Sequence, residues 1–195
     1  MIRLLALLIW LLPGIALAQG YPALFDVTGV ASGDTLNIRA APQASAEKIG
    51  EFGPNARDIE VIREEGGWGL VNSGERSGWA SMRYLARQEG GDYALARHLI
   101  CFGTEPFWSL DIVQGAMATL SSPDGAGASW NVGLVQGSAN RTDRFAISGS
   151  GAQPLIAIVS AQSCNDGMSD REFGLAIDML RGGDLYSGCC SLVAP

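Results

Sequence analysis

Hydrophobic and polar positions alternate over short stretches of this chain, and turn residues separate the stretches. Leu36 and Ile38 fall on one face of residues 35–39, and three apolar side chains beginning with Trp108 share one face of residues 107–112. Because successive side chains of a β-strand point to opposite faces, these stretches predict half-buried strands. No convincing helical period interrupts them, so the pattern predicts an all-β protein.

The first half of the chain holds a series of these predicted strands. They lie at residues 35–39, 49–52, 59–61, 68–71 and 78–80. Turn sequences rich in Gly, Asn and Pro lie between them, and residues 81–85 read as a tight terminal turn. Short strands joined by turns of this spacing predict a small closed barrel.

The second half shows the same kind of pattern. Its predicted strands lie at residues 107–112, 116–120, 130–132, 145–147, 155–159, 173–179 and 184–190. Residues 155–159 are apolar throughout, which fits a strand or a helix, but their β-branched content favours a strand. Successive hairpins predict an antiparallel meander that closes into a second small barrel.

These two patterns divide the chain into two predicted domains. The first covers residues 21–87 and the second covers residues 97–195. A linker at residues 88–96 is expected between them, and Gly90 and Gly91 would make it flexible at its start.

The N-terminus has the parts of a secretory signal peptide at residues 1–18. Arg3 precedes a long apolar run that is broken at Pro13, and Ala16 and Ala18 are the small residues that a signal peptidase needs. The run is shorter than the roughly 20 residues that span a bilayer. We therefore predict cleavage after Ala18 and export, rather than an uncleaved anchor.

The charge of the mature chain bears on its partners. Cleavage leaves 177 of the 195 residues and removes one of the 13 basic residues but none of the 20 acidic ones, which gives a net charge of −8. An acidic chain repels phosphate backbones, so nucleic acid is a poor partner. The sequence has no second long apolar run, so we expect no membrane span after cleavage. It also has no Gly-rich loop that follows a strand and opens a helix, so we expect no nucleotide and no other cofactor.

All four cysteines, Cys101, Cys164, Cys189 and Cys190, lie in the second half. An even number in an exported chain implies disulfides, and the absence of a C-x-x-C spacing disfavours a redox role. Cys189 and Cys190 are adjacent on a predicted strand and face opposite sides, so each should pair separately with Cys101 or Cys164. We favour Cys101–Cys190 with Cys164–Cys189, and the other assignment stays open.

Several separated motifs in the first half identify a resemblance. They are Leu36-Asn37-Ile38-Arg39 with Pro42, then Ile49-Gly50, Trp68, Gly78-Trp79 and Tyr84-Leu85. In order and spacing, residues 26–86 resemble the bacterial SH3-like (SH3b) domain family, with a departure at the turn Asn55-Ala56, where the family often has Gly. The resemblance implies an SH3-like barrel of the cell envelope that binds peptidoglycan peptides or other extended peptides.

Three rings of this barrel are candidates for ligand binding: Trp68, Trp79 and Tyr84. Flat rings on a small barrel can hold an extended peptide because they give contact area at a low entropy cost. The alternative reading is structural, with Trp68 and Trp79 packed in or against the barrel.

The second half carries a different set of motifs. They are Cys101-x-Gly103-Thr104-Glu105-Pro106-Phe107-Trp108, Cys164-Asn165-Asp166-Gly167-Met168-Ser169-Asp170 and Gly188-Cys189-Cys190. Over most of residues 98–191 they resemble a family of uncharacterised secreted proteins and lipoproteins of Gram-negative bacteria. The resemblance implies a periplasmic location and a small barrel, distantly like META-type or lysozyme-inhibitor barrels, and no established activity.

The acidic residues of these motifs are candidates for catalysis and for metal binding. Glu105 alone is not a general acid, because that chemistry needs a second group at a fixed distance. Asp166 and Asp170 are candidate companions, but residues 165–167 are first of all a turn sequence and lack the ligand spacing of a Ca²⁺ loop. The single histidine, His98, reads as a surface residue. We therefore expect no catalytic residue and no metal site.

The leading hypothesis is a non-catalytic periplasmic envelope protein and not an enzyme. Its SH3-like barrel would bind a cell-wall or protein peptide, and its disulfide-stapled second barrel would hold an unknown ligand. One alternative is an inhibitor or accessory protein of an envelope hydrolase, comparable to lysozyme inhibitors. Another is a hydrolase that uses Glu105 as its acid.

Overall fold

The computed structural model of the protein describes residues 20–125 and 127–193, so the predicted signal peptide at 1–18 lies outside the described residues. The strands are β1 Ala23–Val27, β2 Leu36–Arg39, β3 Lys48–Phe52, β4 Ile59–Val61, β5 Arg63–Glu65, β6 Trp68–Ser73, β7 Arg76–Ser81, β8 Leu85–Asp92, β9 His98–Thr104, β10 Phe107–Val113, β11 Met117–Ser121, β12 Ala128–Asn131, β13 Gln136–Ser138, β14 Arg141–Gly149, β15 Leu155–Cys164, β16 Phe173–Arg181 and β17 Asp184–Val193. A 3₁₀ turn, η1, spans Met82–Tyr84. The described residues contain no α-helix, which confirms the all-β prediction. Within residues 20–125 and 127–193 there is no helix long and apolar enough to cross a membrane.

The first unit consists of two antiparallel sheets that enclose one core. Five strands pair in the order β3-β2-β7-β6-β5, and three pair in the order β4-β1-β8. The alternation seen in the sequence places one face of each strand inward. The buried core residues are Ala23, Phe25, Val27, Leu36, Ile38, Ile59, Val61, Val71, Ala80 and Leu85.

The first part of the segment predicted as a linker, residues 88–96, is β-strand. Residues 88–92 are the second half of β8, and Asp92 pairs with Ala23 of β1. The glycines that suggested flexibility lie at an interruption in the register of the two strands. A turn then follows, in which the carboxylate of Asp92 accepts hydrogen bonds from the backbone N–H groups of Ala94 and Leu95, both at 3.0 Å.

The second unit is a nine-stranded antiparallel sheet in the order β12-β11-β10-β9-β17-β16-β15-β14-β13. Consecutive strands are neighbours, as predicted for a meander, except β12 and β13 at the two ends of the order, and β9 pairs with β17. A bridge between Val132, which follows β12, and Gly149 of β14 brings the two sides of the curled sheet together. A side chain at Gly149 would clash with Trp130, so glycine permits this close approach. The core includes Leu110, Ile147 and Leu175.

Two disulfides crosslink the second barrel in the pairing favoured from the sequence. Cys101 and Cys190 are direct neighbours across β9 and β17, and both are fully buried. Cys164, at the end of β15, is bonded to Cys189. The adjacent cysteines use opposite faces of β17, because Cys190 belongs to the core cluster and Cys189 does not. Each crosslink stabilises the fold by roughly 2–4 kcal/mol.

The two barrels are joined by backbone hydrogen bonds at the tip of the β6–β7 hairpin. The N–H of Asp170 donates to the carbonyl of Glu75, and the N–H of Ser77 donates to the carbonyl of Asp170, both at 3.1 Å. Asn72 Nδ2 donates to the carbonyl of Glu172 at 2.9 Å, and the Glu172 N–H donates to Ser77 Oγ at 2.8 Å. The loop before β16 therefore docks onto the first barrel much as an added strand would.

Apolar packing accompanies these hydrogen bonds. Leu24 of β1 belongs to the core of the second barrel, although its neighbours Ala23 and Phe25 belong to the core of the first. A Cβ atom on Gly174 would lie 2.9 Å from Cδ of Pro22, so the strands meet closely at that point. The two barrels thus share a packed contact instead of being joined by a linker alone.

Candidate functional site

A cavity of about 510 Å³ opens on the first barrel, and every residue that lines it comes from that barrel. The loop between β1 and β2 forms one wall, and the first residue of β6 with the 3₁₀ turn η1 forms the other. The lining residues are Gly29, Val30, Ala31, Asp34, Thr35, Leu36, Asn37, Arg39, Ala44, Trp68, Ser81, Arg83 and Tyr84.

Backbone hydrogen bonds hold the loop wall in place. The N–H of Thr28 donates to the carbonyl of Tyr84 at 2.9 Å, which ties the loop to η1. Further along, the N–H of Asp34 donates to the carbonyl of Ala31 at 2.9 Å, and Asp34 Oδ1 accepts from the N–H of Thr35 at 2.8 Å. These bonds lie within the barrel itself, so the fold holds the loop wall in its position.

Two of the three predicted rings meet at this cavity. Trp68 and Tyr84 are half-buried and line it from β6 and η1. Trp79 does not line it: its side chain is 8% exposed and packs with Ile62 and Leu70. Trp68 packs against that small cluster, so Trp79 supports the wall of the cavity from behind. The structural reading therefore applies to Trp79, and the rings that line the cavity are Trp68 and Tyr84.

The cavity also brings together charged residues that the sequence analysis did not select. Arg39, Arg83 and Asp34 line it. Arg39 Nη1 donates to the carbonyl of Ala46 at 2.8 Å, which fixes its guanidinium. Within the described residues, neither arginine forms an ion pair with a carboxylate. Arg83 directly precedes Tyr84 in the predicted terminal turn, and this adjacency to a candidate ring is the sequence feature that could have pointed to Arg83.

The acidic motif residues of the second barrel lie elsewhere. Glu105 is exposed in the turn between β9 and β10. Thr104 Oγ1 donates to the carbonyl of Asp166 at 3.2 Å, so the two motifs are adjacent. Burial raises the pKa of Asp166, but hydrogen bonds from the N–H groups of Ser169 and Met168 outweigh it and leave that pKa below its usual value. The carboxylate of Asp166 thus stabilises its own turn.

The arrangement has no centre suited to metal chemistry among residues 20–125 and 127–193, where no three His, Cys, Asp or Glu side chains cluster. His98 is partly buried, and its Nε2 lies 2.9 Å from Asp111 Oδ1 on the neighbouring strand. Asp170, the other acid considered from the sequence, makes its contacts with the first barrel through its backbone.

The cavity lies on a region that comparison with protein families identifies. Residues 34–86 match the family model of the bacterial SH3 domain. This SH3 domain supplies Trp68 and Tyr84 and most of the cavity, whereas β1 and residues 29–31 of the loop wall precede the match. No curated protein matches the chain, and no solved structure matches it. The family resemblance drawn for the second barrel stays a prediction.

Proposed function

We propose that this is a non-catalytic envelope protein whose SH3 domain binds an extended peptide of the cell wall or of another protein. The observation that carries the proposal is that Trp68 and Tyr84 line one cavity of a bacterial SH3 domain. Aromatic rings at such a site provide apolar contact at low conformational cost, and polar neighbours fix the orientation of the ligand.

The dimensions of the cavity agree with a short peptide segment. Its volume of about 510 Å³ lies within the range of roughly 300–1,000 Å³ found for ligand sites. Thr35, Asn37 and Ser81 line it alongside the rings. Their side chains can donate and accept hydrogen bonds, as the backbone of an extended peptide requires.

The second barrel acts in this proposal as a rigid support. It docks on the β6–β7 hairpin tip and leaves the cavity free, because no residue of the second barrel lines it. Its two disulfides favour an oxidising compartment, so we place the protein in the periplasm. Osmotic shock should release it, and retention with the cytoplasmic fraction would contradict that location.

A pull-down on purified peptidoglycan and on immobilised peptides tests the proposed function. Trp68→Ala should weaken retention about tenfold, since it removes one aromatic contact of roughly 1–2 kcal/mol from the cavity. Phe107→Ala is the matched control, because Phe107 is an exposed ring of the second barrel, 52% accessible. Its retention should equal that of the unmodified protein.

One outcome would contradict the proposed function. If Trp68→Ala and Phe107→Ala were retained equally well, and both proteins kept their far-UV circular dichroism, peptide binding at this cavity would be wrong. Loss of retention through loss of folding is recognised by the circular dichroism of the variant, because Trp68 packs against the cluster around Trp79. Tyr84→Ala, which removes the ring that packs against the main core instead, should weaken retention as well.

A further inference from the structure

The two arginines of the SH3 cavity have no acidic partner in a chain that is rich in acids. The sequence contains 20 acidic and 13 basic residues. Yet neither Arg39 nor Arg83 forms an ion pair with a carboxylate of the described residues. Their charges are therefore available to a ligand.

Three other basic side chains of the same barrel lie beside a carboxylate. Lys48 pairs with Glu51, and Arg63 pairs with Glu172 of the second barrel. Arg57 lies 3.5 Å from Asp26.

The position of each arginine suits a different task. Arg39 is half-buried, and its bond to the Ala46 carbonyl uses one of the five N–H groups of the guanidinium, which leaves the others in a fixed orientation. Arg83 is exposed on η1 beside Tyr84 and lines the cavity from the opposite wall. A planar guanidinium matches the geometry of a carboxylate and can hold it through two parallel hydrogen bonds.

The one acid that lines the cavity does not cancel these charges. Oδ1 of Asp34 already accepts the Thr35 N–H at 2.8 Å. Counting formal charges, two arginines and one aspartate leave the cavity with an excess of one positive charge, whereas the chain as a whole is negative. Such a local reversal attracts anionic ligands to this place.

We propose that the SH3 cavity selects extended peptides that carry a carboxylate, with the guanidinium groups of Arg39 and Arg83 holding that carboxylate while Trp68 and Tyr84 contact the adjoining apolar part. This inference rests on the peptide-binding function proposed above. The carboxylate could belong to an acidic side chain or to a free C-terminus, and the experiment separates these sources.

Fluorescence anisotropy of labelled peptides with the purified mature protein tests the selection. Three peptides of equal length and otherwise identical alanine–proline sequence are compared at low and at high salt. One has a central glutamine and an amidated C-terminus, the second a central glutamate and an amidated C-terminus, and the third a central glutamine and a free C-terminus. A preference for the second or for the third peptide over the first identifies the source of the carboxylate.

At low salt the preferred acidic peptide should bind about fivefold more tightly than the neutral one, as expected for a partly exposed charge pair. Arg83→Gln should remove the preference, so that the acidic and the neutral peptide bind this variant with equal affinity. Arg97→Gln is the control for charge, because Arg97 is also exposed and unpaired among the described residues but does not line the cavity. It should keep the preference.

Three results would overturn the inference, and they are distinguishable. Equal affinities for all three peptides, or a preference that survives Arg83→Gln, would remove the carboxylate selection and leave peptide binding intact. Failure of every peptide to bind would overturn both the inference and the proposed function.

Discussion

At the scale of single residues, Glu60 occupies an unusual position. It lies on β4 where the barrels meet, and its Oε1 accepts a hydrogen bond from the N–H of Leu192 at 3.1 Å. Burial raises the pKa of Glu60 to about 7, against the opposing effects of Leu192, the Ser191 hydroxyl and the charge of Arg171. The Ser191 hydroxyl faces the carboxyl without meeting hydrogen-bond geometry. Glu60, Arg171, Ser191 and Leu192 all line a cavity of about 290 Å³.

This position predicts a dependence of stability on pH. A carboxyl whose pKa is higher in the folded than in the unfolded state keeps its proton on folding, so stability falls as pH rises from about 4.5 to about 7. Glu60→Gln should abolish that fall, and the free energy of unfolding of the variant should exceed that of the original protein by about 3 kcal/mol more at pH 8 than at pH 4. Urea unfolding at the two pH values measures the difference.

The exposed Glu65 of β5 supplies the control for this prediction. Glu65→Gln should leave the pH dependence as it is in the unmodified protein. If Glu60→Gln and Glu65→Gln followed parallel curves, Glu60 would not be the group that titrates on folding.

The candidate rings show how far the sequence leads at this scale. Trp68 and Trp79 each follow a glycine and each begin an apolar pattern, so alternation alone treats them alike. They differ in the sheet: Trp79 lies on β7 between β2 and β6, while Trp68 is the first residue of β6, beside a turn. Burial was decided by strand order, which a local pattern does not contain.

At the scale of the elements, twelve of the strands were predicted, and the strands that were not predicted are β1, β5, β8, β9 and β13. In β1 four of five residues are buried, because Leu24 faces one core and its neighbours face the other. A strand covered on both sides loses the alternation of apolar and polar residues by which strands are recognised. The second half of β8 was predicted as a linker because Gly90 and Gly91 are typical of flexible segments.

The crosslinked strands carry a prediction about stability. The Cys101–Cys190 bond closes a segment of 89 residues and the Cys164–Cys189 bond one of 25. Since the entropy lost by the unfolded chain grows with the closed length, Cys101→Ala with Cys190→Ala should destabilise the protein by about 1 kcal/mol more than Cys164→Ala with Cys189→Ala. Urea denaturation of both double variants compares them, and an equal or reversed order would contradict this account.

At the scale of the whole molecule, the sequence predicted two barrels but not how they dock. Backbone groups and short polar side chains make many of the contacts, as at Ser77 and Asp170, and such groups leave no hydrophobic pattern. Docking occupies the tip of the β6–β7 hairpin, and no residue of the second barrel lines the cavity of Trp68 and Tyr84. The cavity therefore stays open to a ligand when the barrels are docked.

The central claim, that an extended peptide binds in this cavity, is tested most directly by the indole N–H resonances of the mature protein. Four of the five tryptophans lie beyond residue 18: Trp68, Trp79, Trp108 and Trp130. On titration with a muropeptide digest and with the glutamate peptide described above, the account predicts a saturable shift of the Trp68 resonance, while those of Trp108 and Trp130 stay in place. An unchanged Trp68 resonance, or shifts confined to the second barrel, would contradict it.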